Sequence, residues 1–172
     1  MSEFKTKTVF ISGAGSGIGK DIALAFAQEG AHLLLVGRNT SKIEAVAQTA
    51  LNCGAHGVDV SSLDVGDLSK VESYFSQIKK LDIAVNNAGI EGAIDDTLHL
   101  KAEDFDEVMG INVRGLWKCQ QEQVRFFRTR KQKGNIINLA SIAGLKGIPT
   151  SSLYVASKHA VVGLTRSVAL EQ

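Results

Sequence analysis

The sequence has little proline, little cysteine and few aromatic residues. One proline, Pro149, and seventeen glycines among 172 residues indicate few rigid turns and many close backbone approaches. The two cysteines, Cys53 and Cys119, lie far apart and match no metal-ligand spacing, so we expect two buried, reduced thiols. The four histidines also lack the spacing of metal ligands. The sequence therefore predicts no metal site.

Charge of one sign and long apolar runs are also missing. The formal net charge is +1, which argues against nucleic acid, membranes or acidic molecules as partners. The basic run from 125 to 133 ends a predicted helix, where cations offset the helix dipole. No apolar run approaches the ~18 residues that span a bilayer, and the N-terminus MSEFKTKTVF has no signal-peptide core. We therefore expect a cytoplasmic protein without a nucleic-acid or membrane partner.

What the chain does contain is a regular alternation of apolar strands and helical patterns. Hydrophobic residues make up 44% and charged residues 22%, the balance of an ordinary globular protein. The length suggests one domain over residues 1–172. Strands are predicted at 9–12, 32–36, 56–60, 83–85 and 135–139. A long helix is predicted over 103–130, with a buried face formed by Val113, Leu116, Trp117, Val124 and Phe127.

This alternation predicts an α/β fold, a doubly wound and Rossmann-like parallel sheet with helices on both faces. Right-handed crossovers lead to the strand order 3-2-1-4-5. The winding then switches between strands one and four, and ligands bind outside the carboxyl ends of the strands at that point. The segments after strands one and four are therefore expected to face each other across a crevice.

A glycine-rich loop follows the first strand. Gly13, Gly17 and Gly19 have the spacing GxxxGxG, not the GxGxxG of the commoner dinucleotide fingerprint. We expect the backbone of this loop, with Ser16 and Ile18, to approach a phosphate at the N-terminus of the next helix. The alternative is a tight turn that only packs this helix on the strand.

The end of the second strand bears on the choice of cofactor. An NAD-binding chain would place an acid about 20 residues after the glycines, to bind the ribose hydroxyls. Here Arg38 stands there instead, and arginine is the preferred partner of a phosphate. The sequence favours NADP(H). NAD(H) remains open, because Arg38 is also compatible with a solvated loop.

Two further segments are predicted to bind the cofactor. Asp59 is placed at the end of strand three, where its carboxylate could accept a bond from an adenine amino group and Val60 could donate from its backbone. A carboxylate that caps the next helix or loop is the alternative. Strand four runs into the sequence NNAG, so Asn87, Ala88 and Gly89 face the glycine loop. At least one of its two asparagines is expected to bond backbone across strands.

Candidate chemistry lies near the end of the chain. Tyr154 and Lys158 are four residues apart on a predicted helix and so share one face. A nearby ammonium lowers the pKa of a phenol from its ordinary value near ~10 and makes it a usable acid and base. The Ser141 hydroxyl could sit beside the phenol. Asn112, in an otherwise apolar helical stretch, is predicted to break the helix locally and hold water. A solvated helix face and an ordinary polar residue are the alternatives.

Taken in order, these motifs resemble those of the short-chain dehydrogenase/reductase family. The matching segments are SGAGSGIG, Asp59-Val60, NNAG, Asn112, NIINLAS and YVASK, which together cover residues from about 8 to 170. Ser12 stands where the family more often has threonine.

The resemblance implies a catalytic tetrad of Asn112, Ser141, Tyr154 and Lys158. In it Tyr154 passes a proton to or from the oxygen of a small carbonyl or alcohol substrate, and Ser141 holds that oxygen. Lys158 binds the nicotinamide ribose beside Tyr154, and Asn112 fixes a water. The resemblance also implies a homodimer or homotetramer formed through the Asn112 and Tyr154 helices.

One feature departs from the family pattern. Members usually continue with two further strands, a substrate lid and a Pro-Gly segment that contacts the nicotinamide. This chain ends at Gln172, so we expect a domain that lacks the last strands and is truncated at its C-terminus. The leading prediction is an NADP(H)-dependent oxidoreductase. The alternatives are a catalytically silent nucleotide-binding module and an NAD-linked dehydrogenase of the same fold.

Overall fold

The computed structural model describes residues 2–172, which form one five-stranded sheet with helices on both faces. The strands are β1 Thr8–Ser12, β2 His32–Gly37, β3 Gly57–Ser62, β4 Ile83–Asn86 and β5 Asn135–Asn138. The α-helices are α1 Gly17–Gln28, α2 Thr40–Asn52, α3 Leu68–Gln77, α4 Ala102–Met109, α5 Leu116–Thr129 and α6 Ser152–Glu171. A π-helix, Gly110–Gly115, joins α4 to α5, and a 3-10 turn, Ile142–Gly144, follows β5.

The sheet is parallel throughout, and its strand order is β3-β2-β1-β4-β5. This confirms the predicted doubly wound, Rossmann-like fold. β1 lies at the centre, where Val9 is in register with Leu33 of β2 and with Ile83 of β4. All five residues of β1 are buried, as expected of a strand that is covered on both faces. The predicted switch point therefore lies between β1 and β4.

Alternate residues of the central strands belong to two separate hydrophobic cores. Ile11 and Leu35 pack with Ile43 of α2 on one face of the sheet. Phe10 packs on the other face with Phe75 of α3, the two ring centroids lying 5.1 Å apart. The sheet is thus held rigidly from both sides, and the ends of its strands are well-defined positions for functional groups.

The long helical region has a different buried face from the one predicted. Leu116 and Phe127 are buried, but Trp117 is 40% exposed. The buried face of α5 contains Leu116, Cys119, Gln123 and Phe126, which recur at intervals of three and four residues, and Trp117 lies to one side of this face. The prediction for Trp117 is therefore wrong.

The two cysteines differ in exposure. Cys119 is buried, and this burial raises the pKa of its thiol to about 12. Cys53 is exposed after α2, so the prediction that both thiols are buried is half wrong. β5 forms one edge of the sheet, where Ile137 is 46% exposed. Within residues 2–172, no helix has both the length and the apolar character needed to cross a membrane.

Candidate active site

The glycine loop is attached directly to the end of β4. Asn87 donates from Nδ2 to the carbonyls of Ser12 and Gly13, at 3.0 and 3.2 Å. The Ser12 hydroxyl accepts from the backbone N–H groups of Asn87 and Ala88, both at 3.1 Å. The two segments predicted to face each other are therefore in contact. Asn87 bonds to backbone across the strands as expected. The hydroxyl of Ser12, which stands where the family more often has threonine, accepts the bonds from the segment that follows β4.

The conformation of this loop requires glycine and leaves room for a phosphate. Gly13 has a φ of +66°, and a Cβ there would lie 2.9 Å from the Cα of Ala88. Gly17 has a φ of +52°, and a Cβ there would meet nothing within 4 Å, so the space above the start of α1 is open. Ser16, which precedes α1, makes no side-chain capping bond. Free N–H groups at a helix start that opens to such space fit a phosphate-bearing cofactor.

A cavity of about 350 Å³ lies over the carboxyl ends of the strands. We call it the crevice. Its lining brings together most of the predicted cofactor residues: Gly13, Ser16, Ile18, Arg38, Asn87, Ala88 and Gly89. The remaining two loop residues lie beside it. Gly17 is exposed at the start of α1, and Gly19 is buried against Gly13.

Asp59 and Val60 do not lie at the crevice. β3 continues to Ser62, so Asp59 is within the strand, opposite Leu34 of β2. Its carboxylate lies 2.9 Å from the Nε2 of His32, which is the first residue of β2. Val60 points to the opposite face and packs on a hydrophobic core. The placement of Asp59 at the end of the strand is wrong, because the strand extends two residues further than predicted.

The residues that do lie past the end of β3 are Asp64 and Val65. Both line the crevice, together with Leu63. The Oδ1 of Asp64 accepts a bond from the N–H of Gly66 at 2.9 Å, which orients the carboxylate. The sequence contains the pair Asp-Val twice, at 59–60 and at 64–65. The second Asp-Val pair was therefore a visible candidate for the site. The choice between the two pairs depends on where β3 ends, which the sequence pattern does not fix.

Asn112 lies within the π-helix and is 1% exposed. The predicted local break in the helix is thus confirmed as a π-helical turn, a feature often found at functional sites. Its Nδ2 donates to the carbonyl of Ile90 at 2.7 Å, and its Oδ1 accepts from the N–H of Ile90 at 2.8 Å. Ile90, which the sequence does not single out, is thereby fixed at the crevice beside Gly89.

Tyr154 and Lys158 lie on one side of α6, as predicted. The Nζ of Lys158 is 5.6 Å from the centroid of the Tyr154 ring. Lys158 is 6% exposed, and this burial lowers the pKa of its ammonium. A Cβ on Gly89 would lie 3.7 Å from this Nζ and 3.1 Å from the Oδ1 of Asn112. Lys158 and Asn112 therefore meet at the NNAG segment, on the border of the crevice.

Ser141 lies between β5 and the 3-10 turn. Its Oγ accepts from the N–H of Ala143 at 3.1 Å, which caps the turn. Within residues 2–172 the hydroxyl proton has no acceptor, so it is free to donate. The turn packs closely on α6, since a Cβ on Gly144 would lie 2.8 Å from the carbonyl oxygen of Lys158. Among the described residues, no group of three or more His, Cys, Asp or Glu could hold a metal ion.

Comparison with known proteins identifies the family. The family model described as short chain dehydrogenase matches residues 7–172. The chain therefore belongs to the short-chain dehydrogenase/reductase family, whose members found in these comparisons are oxidoreductases. This confirms the resemblance found from the motifs.

The chain is 38% identical to a 3beta-hydroxysteroid dehydrogenase of Mediterraneibacter gnavus, over 99% of this chain and 62% of the relative. It is 36% identical to a levodione reductase of Leifsonia aquatica, over 99% and 65%. It thus spans less than two thirds of the length of these relatives.

Solved structures of the family share its backbone. NAD+-bound xylitol dehydrogenase superposes with a TM-score of 0.92 and 32% identity, over 98% of this chain and 66% of that one. A metagenomic short-chain oxidoreductase in complex with NADP superposes with a TM-score of 0.89 and 26% identity, over 96% and 76%. Both nicotinamide dinucleotides are therefore found on this fold.

Proposed function

We propose that the chain forms the cofactor site and the catalytic group of an NADP(H)-dependent oxidoreductase that interconverts a small carbonyl compound and a secondary alcohol. The observation that carries this proposal is the approach of Lys158 and Asn112 to Gly89 of the NNAG segment, with the Tyr154 ring centroid 5.6 Å from the Nζ of Lys158. A buried cation next to a phenol, at the border of a crevice that fits a dinucleotide, is an arrangement suited to proton transfer.

Each side chain has a distinct role in this proposal. Tyr154 donates a proton to the carbonyl oxygen of the substrate, or accepts it from the alcohol. Ser141 donates its free hydroxyl proton to the same oxygen and stabilises the charge that develops there. Lys158, with its ammonium buried beside the phenol, binds the nicotinamide ribose next to Tyr154. The cofactor, when bound, supplies or accepts the hydride.

The preference for NADP(H) rests on Arg38. This side chain is exposed at the crevice directly after β2, where the carboxylate that suits NAD(H) would stand. A guanidinium in this place can form two parallel bonds with a phosphate. Some of the solved neighbours contain NAD and others contain NADP or NADPH, so the proposal depends on this residue and not on the fold.

We assign the adenine end of the cofactor to Asp64 and Val65. Both line the crevice past the end of β3, the neighbour of β2, which Arg38 follows. The carboxylate of Asp64 can accept a bond from an exocyclic amino group, and the N–H of Val65 can donate to a ring nitrogen. This assignment takes the role first predicted for Asp59 and Val60.

Replacement of Tyr154 by phenylalanine tests the catalytic assignment. The variant should lose turnover of several ketones by at least about 10²-fold, because proton transfer is removed, while cofactor affinity stays nearly unchanged. Tyr74→Phe is the matched control, since this only other tyrosine packs against Phe10 and Phe75 on α3 and does not line the crevice. Turnover that survives in Tyr154→Phe would refute the assignment.

A second candidate is a nucleotide-binding module without catalytic activity. One observation favours it: within residues 2–172, β5 forms an edge of the sheet, and its Ile137 is 46% exposed. In this proposal residues 1–172 are one domain that binds the cofactor but does not enclose a substrate. Cofactor titration together with an assay on several ketones decides, because binding without any turnover indicates the module.

We also propose that copies of the chain associate through the helices around Asn112. Phe105 on α4 and Trp117 on α5 are 46% and 40% exposed, which is unusual for large aromatic side chains on neighbouring helices. Burial of these rings between two copies would remove them from water. Light scattering of the wild type and of Trp117→Lys tests this, and a wild type that is monomeric at all concentrations would contradict it.

A further inference from the structure

Ser157 is a buried hydroxyl next to Lys158 that none of the roles above uses. It is 0% exposed and lies on the side of α6 that faces the π-helix. Its Oγ accepts a hydrogen bond from the Nδ2 of Asn112 at 3.0 Å and donates one to the carbonyl of Tyr154 at 2.8 Å. The hydroxyl therefore connects the amide of one proposed catalytic residue to the backbone of another.

The Asn112 amide has no spare donor. One hydrogen of its Nδ2 goes to the carbonyl of Ile90 and the other to the hydroxyl of Ser157. Its Oδ1 accepts from the N–H of Ile90. One amide thus joins three segments that are distant in sequence: the segment after β4, the π-helix, and the first turns of α6. Among the described residues 2–172, Ser157 is the one residue of α6 that hydrogen-bonds to this amide.

A serine or threonine hydroxyl in a helix often donates only to a carbonyl of the same helix, and such a hydroxyl would not connect two elements. Thr49 shows that simpler case, since within the part of the chain that the structure describes its Oγ1 bonds only to the carbonyl of Ala45 in the same helix, α2. Ser157 bonds to its own helix and also accepts from a different element. Because the site is buried, loss of the hydroxyl would leave the Asn112 donor without a partner and remove what fixes its orientation.

We infer that Ser157 is a positioning residue that sets the first turns of α6 against the π-helix and so fixes Tyr154 and Lys158 relative to Asn112 and Ile90. This inference rests on the proposed function for its catalytic consequence, whereas the bridge itself is a property of the fold. The side chain does not contact substrate or cofactor in this scheme. Its effect reaches the reaction through the placement of the catalytic groups, to which rates are very sensitive.

The test compares Ser157→Ala with Ser157→Thr, which keeps the hydroxyl, and with Ser167→Ala. Ser167 is an exposed serine further along α6 and serves as the matched control. Two quantities are measured on the whole chain: hydrogen exchange of the Ile90 amide by NMR, and kcat and KM for a ketone with saturating NADPH. In Ser157→Ala we expect the Ile90 amide to exchange about tenfold faster. The reason is that the side-chain Oδ1 of Asn112, which accepts from the Ile90 N–H, is no longer held in place.

The kinetic arm separates positioning from a general loss of stability. In Ser157→Ala we expect kcat to fall about tenfold with KM within about twofold, since misplaced catalytic groups weaken the transition state and not substrate binding. Ser157→Thr should restore most of kcat, and Ser167→Ala should match the wild type. An unchanged kcat in folded Ser157→Ala overturns the inference, as does a kcat that Ser157→Thr does not recover.

The exchange arm stays informative if the chain turns over no ketone. In that case the proposed oxidoreductase activity fails, but the bridge is still tested, because Ile90 is remote from position 157 in sequence and is connected to it through Asn112. Faster exchange at Ile90 in Ser157→Ala, with wild-type exchange in Ser167→Ala, supports the positioning role. Exchange at Ile90 that is the same in both variants overturns it.

Discussion

The Nζ of Lys158 donates a hydrogen bond of 2.8 Å to the main-chain carbonyl of Leu139. This bond attaches α6 to the end of β5, two residues before Ser141. It also keeps a charged group, which is only 6% exposed, away from bulk water. Lys158 is therefore a structural contact, a buried charge and a proposed ligand of the cofactor. A substitution at this position should affect cofactor affinity and the free energy of unfolding in opposite directions.

Replacement of Lys158 by methionine should weaken the cofactor and strengthen the fold. We expect the Kd for NADPH to rise about tenfold, the effect of a lost charged hydrogen bond. The free energy of unfolding should rise by about 1 kcal/mol, because a buried charge is exchanged for an apolar side chain of similar length. Quenching of Trp117, the only tryptophan, reports binding, and urea titration reports stability.

The exposed Lys79 provides the control for this experiment. Lys79→Met should leave both quantities close to their wild-type values, as is usual for a surface substitution. A Lys158→Met variant that is less stable than the wild type would show that the bond to Leu139 outweighs the cost of burying the charge.

The stabilising effect of Lys158→Met should depend on pH. Burial lowers the pKa of Lys158 from its ordinary 10.5, so the unfolded chain holds this proton more tightly than the folded one. This group therefore makes the wild type more stable as the pH rises through the interval between the lowered pKa and 10.5. The difference in unfolding free energy between variant and wild type should be largest at neutral pH and shrink as the pH rises toward 10.5. A difference that grows with pH would contradict this.

Asp64 and Asp59 offer a comparison between two similar residues. Asp64→Ala should raise the Kd for NADPH about fivefold to tenfold, through loss of one hydrogen bond to the cofactor. Asp59→Ala should leave the Kd unchanged, because its carboxylate bonds to His32 away from the crevice. Calorimetric titration of both variants measures this. An equal rise in Kd in both variants would show that Asp59 also contributes to cofactor binding. A rise in Kd in Asp59→Ala alone would show that Asp59, and not Asp64, binds the cofactor.

Arg38→Asp should change which cofactor is preferred. The carboxylate repels a ribose phosphate and can accept bonds from ribose hydroxyls, so the ratio of NADPH to NADH affinity should fall by about 10²-fold or more. The comparison of both Kd values in the variant and in Arg38→Lys tests this. If the ratio is the same in Arg38→Asp as in the wild type, Arg38 does not bind the phosphate.

The fold was predictable because it depends on patterns that are local in sequence. Apolar strands that alternate with helical periodicity leave few arrangements of a parallel sheet, and right-handed crossovers select one of them. The pairing of Tyr154 and Lys158 was predictable for the same reason, because side chains four residues apart on a helix lie on one face.

The errors have a common physical origin, which is a small shift in where an element ends or how it turns. Two more residues in β3 move the carboxyl end of the strand from Asp59 to Ser62 and transfer the crevice position to Asp64. The face of α5 that is buried is centred on Cys119 and Gln123, so Trp117, at the edge of the predicted face, is exposed. Neither shift changes the periodicity on which the predictions relied.

Partners across long sequence separations were the other information that the sequence lacked. Asn86 exchanges two hydrogen bonds with the buried Gln123, at 2.9 and 2.8 Å, and Asn112 reaches both Ile90 and Ser157. The sequence shows that an amide side chain can donate and accept hydrogen bonds, but the packing of the folded chain determines its partners.

By itself, the sequence determined the order of strands and helices, the family, and the residues that could take part in chemistry, because these depend on residue type and on spacing along the chain. Only the tertiary structure decided which Asp-Val pair reaches the crevice and that Ser157 bridges Asn112 to α6. These depend on register and on directional contacts of a few ångströms between distant segments, and such contacts exist only once the sheet and its helices are packed together.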